Sequence, residues 1–404
     1  MRNCLLFFIL FSFISCSFEQ TSKNVQTNLV TNGSQYLIDL DGKVETSLPL
    51  SSIFGKVRPI ILETRAECLI GNINEIQVFD GYIFVLDLFI SKSLFVFDME
   101  GRFIRKIGAL GNGPGEYVQI RDFTLDTENG FIFLCDRGTR IHKYKLDGTY
   151  IGSITLQIPE SNVLFIQSYN NKLYASTLGF NPTPEDYMLL EVSPDDGKVL
   201  SNFLPLKYNK GWAELFSTGH SFFMSRVNNP PRYTQLFMDY IISVGGDTIM
   251  PYIELKSKNL VTKKNIENLP ENVNVFDKVG ILEISSKIWD VQNFVENDNL
   301  ITFRCRSGVV DYLTVIYHKE TREIQLAKYF NNDLIYKQDS KNDWFGLFMF
   351  HDARGSYSMI HPNLLKGFQE SIINGEVISD LHKIEELTQL NEESNPVILF
   401  YEYK

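Results

Sequence analysis

A repeated two-strand pattern that ends in an acidic-Gly turn constrains this chain more than any other feature of its sequence. Residues 84–87 (Phe-Val-Leu-Asp) are followed by a second strand pattern and a turn at Gly101. Residues 133–136 (Phe-Leu-Cys-Asp) are followed in the same way by a turn at Gly148, and a third turn lies at Gly197. The three glycines are 47 and 49 residues apart. Short strands that repeat every 40–50 residues are typical of β-propeller blades, so the repeat predicts an all-β propeller.

The number of strand groups predicts a six-bladed β-propeller of four-stranded antiparallel blades. Between residues 257 and 287 the pattern breaks, and Lys, Asn and Glu residues with Pro270 predict an irregular or partly helical insertion. A helix is predicted over residues 380–390 from its apolar spacing. Strand patterns at both ends of the chain predict that the N- and C-terminal strands close the ring within one blade, which would remove a free sheet edge.

The N-terminus has the features of a secretory signal. Arg2 precedes an apolar run at 5–14, and Ser15 then places a small residue before Cys16. We expect residues 1–15 to be a signal peptide, Cys16 to carry a lipid as the new N-terminus, and 16–33 to be a flexible tether. Residues 34–404 would form the propeller. An ordinary signal peptide cut at another position is the alternative. The expected location is the cell envelope, at the outer membrane, with a lipid anchor holding the protein to the membrane.

The charge of the chain narrows the possible partners, and its cysteine content bears on disulfides and metal sites. The net charge is −11 and the cations are scattered without a basic stripe, so nucleic acid is not an expected partner. Outside the signal region the chain has three cysteines, Cys68, Cys135 and Cys305, with no CxxC motif. An odd number of cysteines within strand patterns favours buried free thiols over a disulfide or a metal site.

Several segments resemble a known family. The stretch 110–117 (Leu-Gly-Asn-Gly-Pro-Gly-Glu-Tyr) follows a blade that ends at 103–108, and similar matches occur at 61–64 and 395–399. Together they resemble the six-bladed β-propeller lipoproteins of Gram-negative bacteria, which are distantly similar to NHL-type propellers. The resemblance covers most of the mature chain and is strongest over residues 60–156. It implies the fold and the envelope location, and it implies no catalytic residues.

The glycine-rich stretch 110–117 is interpreted as structural. A P-loop requires Gly-x4-Gly-Lys-Ser/Thr before a helix, and a dinucleotide fingerprint requires a βαβ unit; the sequence has neither. Three glycines and a proline suit a tight crossover between blades, where some residues need positive φ angles.

The remaining polar residues carry no recognised catalytic or metal-binding motif. Asp87 and Asp136 end equivalent strands, and we expect each carboxylate to accept backbone N–H groups of the following turn. A calcium-binding ring of such carboxylates is the less favoured alternative. The histidines form no HxH or HExxH motif, so neither a metal nor another cofactor is expected. His351, Asp352 and Ser356 lack an accompanying GxSxG motif, and adjacent strand residues face opposite ways, so a triad is not predicted.

The most plausible recognition segment is 224–233, which combines two guanidinium groups, amides and an aromatic ring in a loop with two prolines. Such groups suit a carboxylate or a sugar. The predicted ligand-binding residues are Arg226, Arg232 and Tyr233, with Arg304, Arg306, Trp212 and Trp344 from other blades. The competing interpretation is a solvated loop with ordinary edge aromatics.

Two functions follow from these patterns. The first is a lipid-anchored envelope propeller that acts as a non-catalytic binding or scaffold protein for a glycan, a peptide or an envelope protein. The second is an envelope hydrolase, lactonase or lyase with its site at the mouth of the central channel. The residues favour the first function because no catalytic motif accompanies the fold.

Overall fold

The computed structural model describes six small sheets arranged as the blades of a propeller. It describes residues 33–158, 161–179, 186–205, 222–223, 230–245, 249–273, 275–285, 287–308, 312–337, 348–378 and 381–404. The chain starts with three strands, β1 (Tyr36–Asp39), β2 (Val44–Pro49) and β3 (Phe54–Ile61), which join blades formed much later in the sequence. The predicted six-bladed architecture is therefore confirmed.

Blades 1 to 3 each consist of four consecutive antiparallel strands. Blade 1 contains β4 (Glu75–Phe79), β5 (Tyr82–Asp87), β6 (Ser93–Asp98) and β7 (Phe103–Ile107). A short parallel pair, β8 (Ala109–Leu110) and β9 (Glu116–Tyr117), lies in the crossover to blade 2. Blade 2 contains β10 (Ile120–Asp126), β11 (Phe131–Asp136), β12 (Arg140–Lys145) and β13 (Tyr150–Thr155); blade 3 contains β14 (Ser161–Tyr169), β15 (Lys172–Gly179), β16 (Tyr187–Val192) and β17 (Val199–Pro205).

Blades 4 to 6 each include one of the N-terminal strands. Blade 4 contains β18 (Phe222–Phe223), β19 (Arg232–Tyr233), β20 (Tyr240–Ser243) and β21 (Met250–Lys256), with β1 added in parallel to β21. Blade 5 contains β22 (Ile288–Glu296), β23 (Leu300–Ser307), β24 (Tyr312–His318) and β25 (Ile324–Asn331), with β2 in parallel to β25. Blade 6 contains β26 (Phe350–His351), β27 (Gly355–Ile360) and β28 (Val397–Tyr403), and β3 completes it.

The ring closes through antiparallel pairing of β3 with β28, from Val397 opposite Ile61 to Tyr403 opposite Phe54. Asn395 fastens this closure, because its side-chain oxygen accepts the Ile70 N–H at 2.8 Å and its amide donates to the carbonyls of Glu63 and Cys68. The predicted sharing of one blade by both ends of the chain is confirmed. In addition, β1 and β2 pair with the outer strands of blades 4 and 5, so the N-terminal segment contributes a strand to three blades in all.

The strand order defines two ends of the propeller. At one end, which we call the crossover end, the inner strand of each blade begins and the chain crosses from one blade to the next. At the other end, which we call the turn end, lie hairpin turns such as those at Gly101 and Gly197. Gly101 and Gly197 have φ angles of 86° and 74°. A Cβ at these positions would lie 2.1 Å from the carbonyl oxygen of Ile61 and 2.3 Å from that of Thr155, both in the last strand of the preceding blade. At Gly101 and Gly197 the acidic-Gly repeat therefore marks the close contact of the turn with its neighbouring blade, whereas Gly148 has more space.

Six apolar clusters, one for each pair of neighbouring blades, form the core of the described chain. Alternation along each strand explains this division, because odd and even residues face the two adjacent blades. Phe84 packs toward blade 2, for example, whereas Val85 packs toward blade 6. Cys68, Cys135 and Cys305 are buried free thiols, as predicted.

Helices occupy the longer connections. The stretch 257–287 contains α1 (Lys263–Glu267) and α2 (Val275–Ile284). A third helix, α3 (Pro362–Ile373), was not predicted, and α4 (Ile384–Gln389) lies within the predicted helical region 380–390. Two single-turn 3-10 helices span Leu50–Ser52 and Ala66–Cys68. No helix in the described ranges is long and apolar enough to span a bilayer.

Candidate functional site

A cleft of about 760 Å³ opens between blades 4 and 5 at the turn end. Blade 4 contributes Arg232, Ser243 and Tyr252, and blade 5 contributes Glu296 with the turn residues Asp298, Lys319 and Glu320. The start of β1 forms a further wall with Gly33, Gln35 and Tyr36. We call this space the inter-blade cleft. Its volume is within the usual range for pockets that enclose a small organic ligand.

An ion pair between neighbouring blades forms the floor of the inter-blade cleft. Arg232 Nε donates to Glu296 Oε2 at 3.1 Å, and Arg232 Nη1 donates to Ser243 Oγ at 2.8 Å. The Arg232 guanidinium also stacks 3.4 Å above the centre of the Tyr252 ring. Because Arg232 and Glu296 are both buried, removal of either side chain would leave the other as an uncompensated buried charge.

Two more groups bind the other oxygen of Glu296. Lys319 Nζ donates to Glu296 Oε1 at 2.7 Å, and the Tyr252 hydroxyl also donates to Oε1. Burial opposes ionisation of Glu296, but Arg232, Lys319 and the Tyr252 hydroxyl outweigh it and lower the pKa of the carboxyl below its ordinary value. Burial and the adjacent Glu296 charge raise the pKa of Tyr252, so this phenol stays protonated.

The rim of the inter-blade cleft is more exposed than its floor. Tyr36 is half-buried and packs edge-on against Tyr252, with ring centroids 5.3 Å apart. Gln35, Asp298 and Glu320 are exposed. The rim therefore presents one aromatic ring, one amide and two carboxylates to solvent, and the floor cations bind the buried Glu296.

The structure separates the two predicted residues of strand β19. Arg232 faces blade 5 and lines the cleft, whereas Tyr233 faces blade 3, where it is fully buried. The Tyr233 hydroxyl donates to the Met188 carbonyl at 3.1 Å and accepts from the Gln235 amide at 2.8 Å. Alternation along a strand makes this separation unavoidable, because neighbouring residues face opposite sides. Tyr233 thus belongs to the core between blades 3 and 4.

The other predicted residues do not reach the inter-blade cleft within the described chain. Arg304 and Arg306 lie on the face of β23 opposite that of Phe303, which packs toward blade 4. Arg304 stacks 4.2 Å from the centre of the Tyr312 ring, and Arg306 Nε lies 3.8 Å from Asp290 Oδ2. These contacts are at the crossover end. Cys16, Trp212, Arg226 and Trp344 fall outside the described residues, as does most of the segment 224–233.

Several cleft residues were not predicted from the sequence: Tyr36, Tyr252, Glu296 and Lys319. Their positions depend on β1 pairing with β21, in which Tyr36 lies opposite Ile253, and on blade 5 packing beside blade 4. No local motif encodes such distant pairing. The one available signal was that Glu296 is an acidic residue at the end of a strand pattern.

A second buried acidic site lies between the inner strands of blades 1 and 2. Asp122 hydrogen-bonds Glu75, and Asp122 Oδ2 also accepts the Ile166 N–H of blade 3 at 2.6 Å. Burial and the nearby Glu75 carboxylate raise the pKa of Asp122 well above its ordinary value. Gln77 bridges the same inner strands, because its amide donates to the Phe123 carbonyl and its side-chain oxygen accepts the Leu125 N–H. We call Glu75, Gln77 and Asp122 the inner seam.

Asp87 has the structural role expected for it, whereas Asp136 binds a different segment from the turn that was predicted. Asp87 accepts the N–H groups of Phe89, Ile90 and Ser91 in the following turn, and also those of Gly71 and Asn72 in the preceding crossover. Asp136 instead accepts the N–H groups of Val118 and Gln119 in the crossover, at 3.1 and 2.7 Å. The described residues contain no group of three or more His, Cys, Asp or Glu side chains placed to hold a metal ion.

His351 and Asp352 have separate partners. The His351 Nε2 atom accepts the Glu296 N–H at 3.4 Å, and burial lowers the pKa of His351 to about 4. Asp352 instead accepts from Arg354 Nη2 at 2.7 Å and from the Tyr357 hydroxyl at 3.2 Å. His351 is therefore a neutral core residue beside the inter-blade cleft.

Comparison with known proteins places the chain in a family. A family model described as Domain of unknown function (DUF4934) matches residues 35–402. The chain belongs to the DUF4934 family. The match spans all six blades and the N-terminal strands that complete blades 4 to 6, so the family fold is this closed ring.

Solved structures support the fold of this family member. A "putative exported protein" from Bacteroides fragilis NCTC 9343 is similar with a TM-score of 0.72 and 18% identity, covering 91% of this chain and 99% of its own. A member of the DUF4221 family from Bacteroides vulgatus ATCC 8482 is similar with a TM-score of 0.51 and 12% identity, covering 86% of this chain and 98% of its own. No curated protein matches the chain.

Proposed function

We propose that the protein is a non-catalytic binding protein of the bacterial cell envelope and that the inter-blade cleft is its ligand site. The observation that supports this proposal is the cleft's construction: a rigid, charge-balanced floor of Arg232, Glu296 and Lys319 beneath an exposed rim of hydrogen-bonding groups. A floor whose ions already bind one another does not need to rearrange when a ligand enters, so the cleft is pre-organised.

The rim groups favour an uncharged, hydroxyl-rich ligand, and we propose a glycan. The Asp298 and Glu320 carboxylates can accept sugar hydroxyl hydrogen bonds, and Gln35 can both donate and accept. The Tyr36 ring offers an apolar face of the kind that packs against a sugar ring. An anionic ligand is disfavoured because the two floor cations bind Glu296 while both exposed rim charges are negative. A peptide of low charge is the other class that these groups fit.

A glycan and peptide array tests the ligand class. The full chain with Cys16→Ser is compared with the same chain carrying Asp298→Ala and Glu320→Ala. We expect glycan binding by the parent and at least a tenfold weaker affinity in the rim variant. Glu128→Ala is the matched control, since Glu128 occupies the β10–β11 turn as Asp298 occupies the β22–β23 turn, and both are exposed. Glycan binding that the rim variant retains would refute the site, and binding to peptides alone would correct the ligand class.

The membrane anchor is a separate part of the proposal. It is supported by the signal-like N-terminus that ends at Cys16 and by the similarity to a protein described as exported. We expect Cys16→Ser to release the chain from membranes during fractionation, whereas the unsubstituted chain sediments with them. Membrane association that persists unchanged in Cys16→Ser would contradict lipid attachment at this cysteine.

A second candidate function, an envelope hydrolase, is favoured by one observation. The inner seam pairs Asp122, whose pKa is raised, with Glu75, and such a pair can supply an acid and a base. A screen of ester, lactone and glycoside substrates with the purified chain tests it. Activity lost in Asp122→Asn but kept in the Asp298→Ala, Glu320→Ala variant would support this function. Equal activity in both variants would contradict it.

A further inference from the structure

An exposed apolar tip lies at the crossover end of blade 1, remote from the inter-blade cleft. Phe89 and Ile90, in the loop between β5 and β6, are 69% and 68% exposed. Leu69, in the crossover that enters blade 1, is 48% exposed. Ile90 lies directly over this crossover, because a Cβ at Gly71 would come within 2.4 Å of the Ile90 side chain. We call Leu69, Phe89 and Ile90 the apolar tip.

The backbone beneath the apolar tip is held in place by one buried carboxylate. Asp87 accepts five backbone N–H groups, three from the Phe89–Ser91 loop and two from Gly71 and Asn72. Burial opposes ionisation of Asp87, but these N–H groups outweigh it and lower the pKa of the carboxyl. The Asp87 carboxylate therefore holds both loops in place, and the side chains of the apolar tip project from this fixed backbone.

The charges around the apolar tip differ in sign from the molecule as a whole. The loops 63–72, 88–92 and 137–140 carry four cations, Arg65, Lys92, Arg137 and Arg140, and two carboxylates, Glu67 and Glu63, of which Glu63 pairs with Arg65 at 3.1 Å. The whole chain has a net charge of −11. The crossover at 116–119 connects two of these loops. Tyr117 hydrogen-bonds Ser93, next to the loop 88–92, and the Gln119 carbonyl accepts the N–H of Arg137, in the loop 137–140.

We propose that the apolar tip inserts into the surface of a lipid bilayer whose headgroups are anionic. Three exposed apolar side chains on two adjacent loops fit the boundary between headgroups and acyl chains, where aromatic and aliphatic groups insert beside cations. The three side chains are too few for a typical protein–protein interface, which engages about 20 to 30 residues on each side. This docking is independent of a glycan in the inter-blade cleft, because the two regions lie at opposite ends of the propeller.

Vesicle binding tests the proposal on the full chain with Cys16→Ser, so that no lipid anchor contributes. We expect co-sedimentation with vesicles that contain phosphatidylglycerol and at least tenfold weaker partitioning to phosphatidylcholine vesicles. Phe89→Ser with Ile90→Ser should reduce partitioning to the anionic vesicles at least tenfold. The matched control is Ile151→Ser with Leu200→Ser, which removes two side chains of 48% and 49% exposure from the outer strands of blades 2 and 3. This control should bind as the parent does.

Insertion is measured directly with Phe89→Trp. Its emission should shift to the blue on addition of anionic vesicles and should be quenched by lipids brominated on the acyl chains. Circular dichroism spectra that match the parent show that each variant is folded. Absence of binding to any vesicle by the folded parent would overturn the proposal. Equal vesicle binding by the parent and the Phe89→Ser, Ile90→Ser variant would also overturn the proposal. So would a variant that binds vesicles unchanged but no longer binds an envelope protein that the parent binds.

Discussion

Two buried carboxyl groups in this propeller hold neighbouring blades together in opposite ways. Glu296, between blades 4 and 5, lies against Arg232 and Lys319. Asp122, in the inner seam of blades 1 to 3, lies against a second carboxyl group, Glu75. Burial raises the pKa of each group, but the cations reverse this effect at Glu296, whereas Glu75 adds to it at Asp122. The charge of the neighbouring side chains therefore determines whether each buried carboxyl group is ionised.

The difference gives the two sites opposite dependences on pH. Because the folded-state pKa of Glu296 is lowered, its contribution to stability is present above its unfolded pKa and is lost as pH falls through the folded value. Because the folded-state pKa of Asp122 is raised, its contribution is present below the unfolded pKa and is lost as pH rises. Lowering the pH therefore reduces the contribution of Glu296 to the free energy of unfolding, whereas raising the pH reduces that of Asp122.

The largest effect is expected at Glu296. Glu296→Gln removes the carboxylate and leaves Arg232 buried without its counter-ion, so the free energy of unfolding at pH 7 should fall by about 3–5 kcal/mol. Urea denaturation measures this change. Glu320→Gln, on the exposed rim of the same cleft, is the control and should change stability by less than about 0.5 kcal/mol. A loss at Glu296 as small as that of the control would show that the ion pair is not required.

A smaller loss is expected at Lys319. Lys319→Met removes one donor to Glu296 Oε1, but Arg232 and Tyr252 continue to bind the carboxylate. The free energy of unfolding should fall by about 1–2 kcal/mol, the range for a hydrogen bond to a charged group. Lys198→Met breaks an exposed pair with Asp196 and should have almost no effect. Equal losses in the two variants would place the Lys319 pair among weak surface contacts.

A gain in stability is expected at Asp122. Asp122→Asn keeps an oxygen to accept the Ile166 N–H and provides an amide to donate to Glu75, while it removes a carboxyl that is costly to ionise. Stability at pH 8 should rise by about 1 kcal/mol. The gain should disappear near pH 4, where the wild-type carboxyl is protonated. A variant less stable than the wild type at pH 8 would mean that Asp122 is ionised and paired.

The smallest effect is the coupling within the inner seam. Glu75→Gln should also stabilise the protein at pH 8, because it removes the neighbouring charge. The double variant with Asp122→Asn should gain less than the two single gains together, by about 0.5 kcal/mol, since either change alone relieves the repulsion. A double-mutant cycle measured by thermal unfolding gives this coupling. Strictly additive gains would show that the two carboxyls do not share one proton.

The sequence predicted the repeated parts of this molecule and missed what lies between them. The six blades, the positive-φ turn glycines and the role of Asp87 all follow from patterns that recur within about 50 residues of chain. Arg232 and Tyr233 were grouped because they adjoin in sequence, although strand alternation turns them toward different blades. Helix α3 was missed because it lies in the connection between β27 and β28, which has no counterpart in the strand repeat of the earlier blades.

The inter-blade cleft could not be read from the sequence for a physical reason. Its rim residue Tyr36 and its floor residue Glu296 approach one another only after β1 has paired with β21 and blade 5 has packed beside blade 4. Such pairing depends on ring closure, and no local residue pattern reports it. The inner seam was not predicted either, because an acidic residue within a strand pattern does not itself show that it is buried or that it faces another carboxyl group.

The three N-terminal strands also determine the order in which the molecule can be completed. Each pairs with a partner more than 200 residues later: Tyr36 with Ile253, Val44 with Leu326 and Ile61 with Val397. The chain is made from its N-terminus, so β1, β2 and β3 stay unpaired until residues 253, 326 and 397, respectively, have appeared. Blades 1 to 3 can form early from local pairings, whereas blades 4, 5 and 6 are completed later and in that order. A chain cut short during synthesis would thus expose its first strands as open edges, ready for a chaperone or a protease.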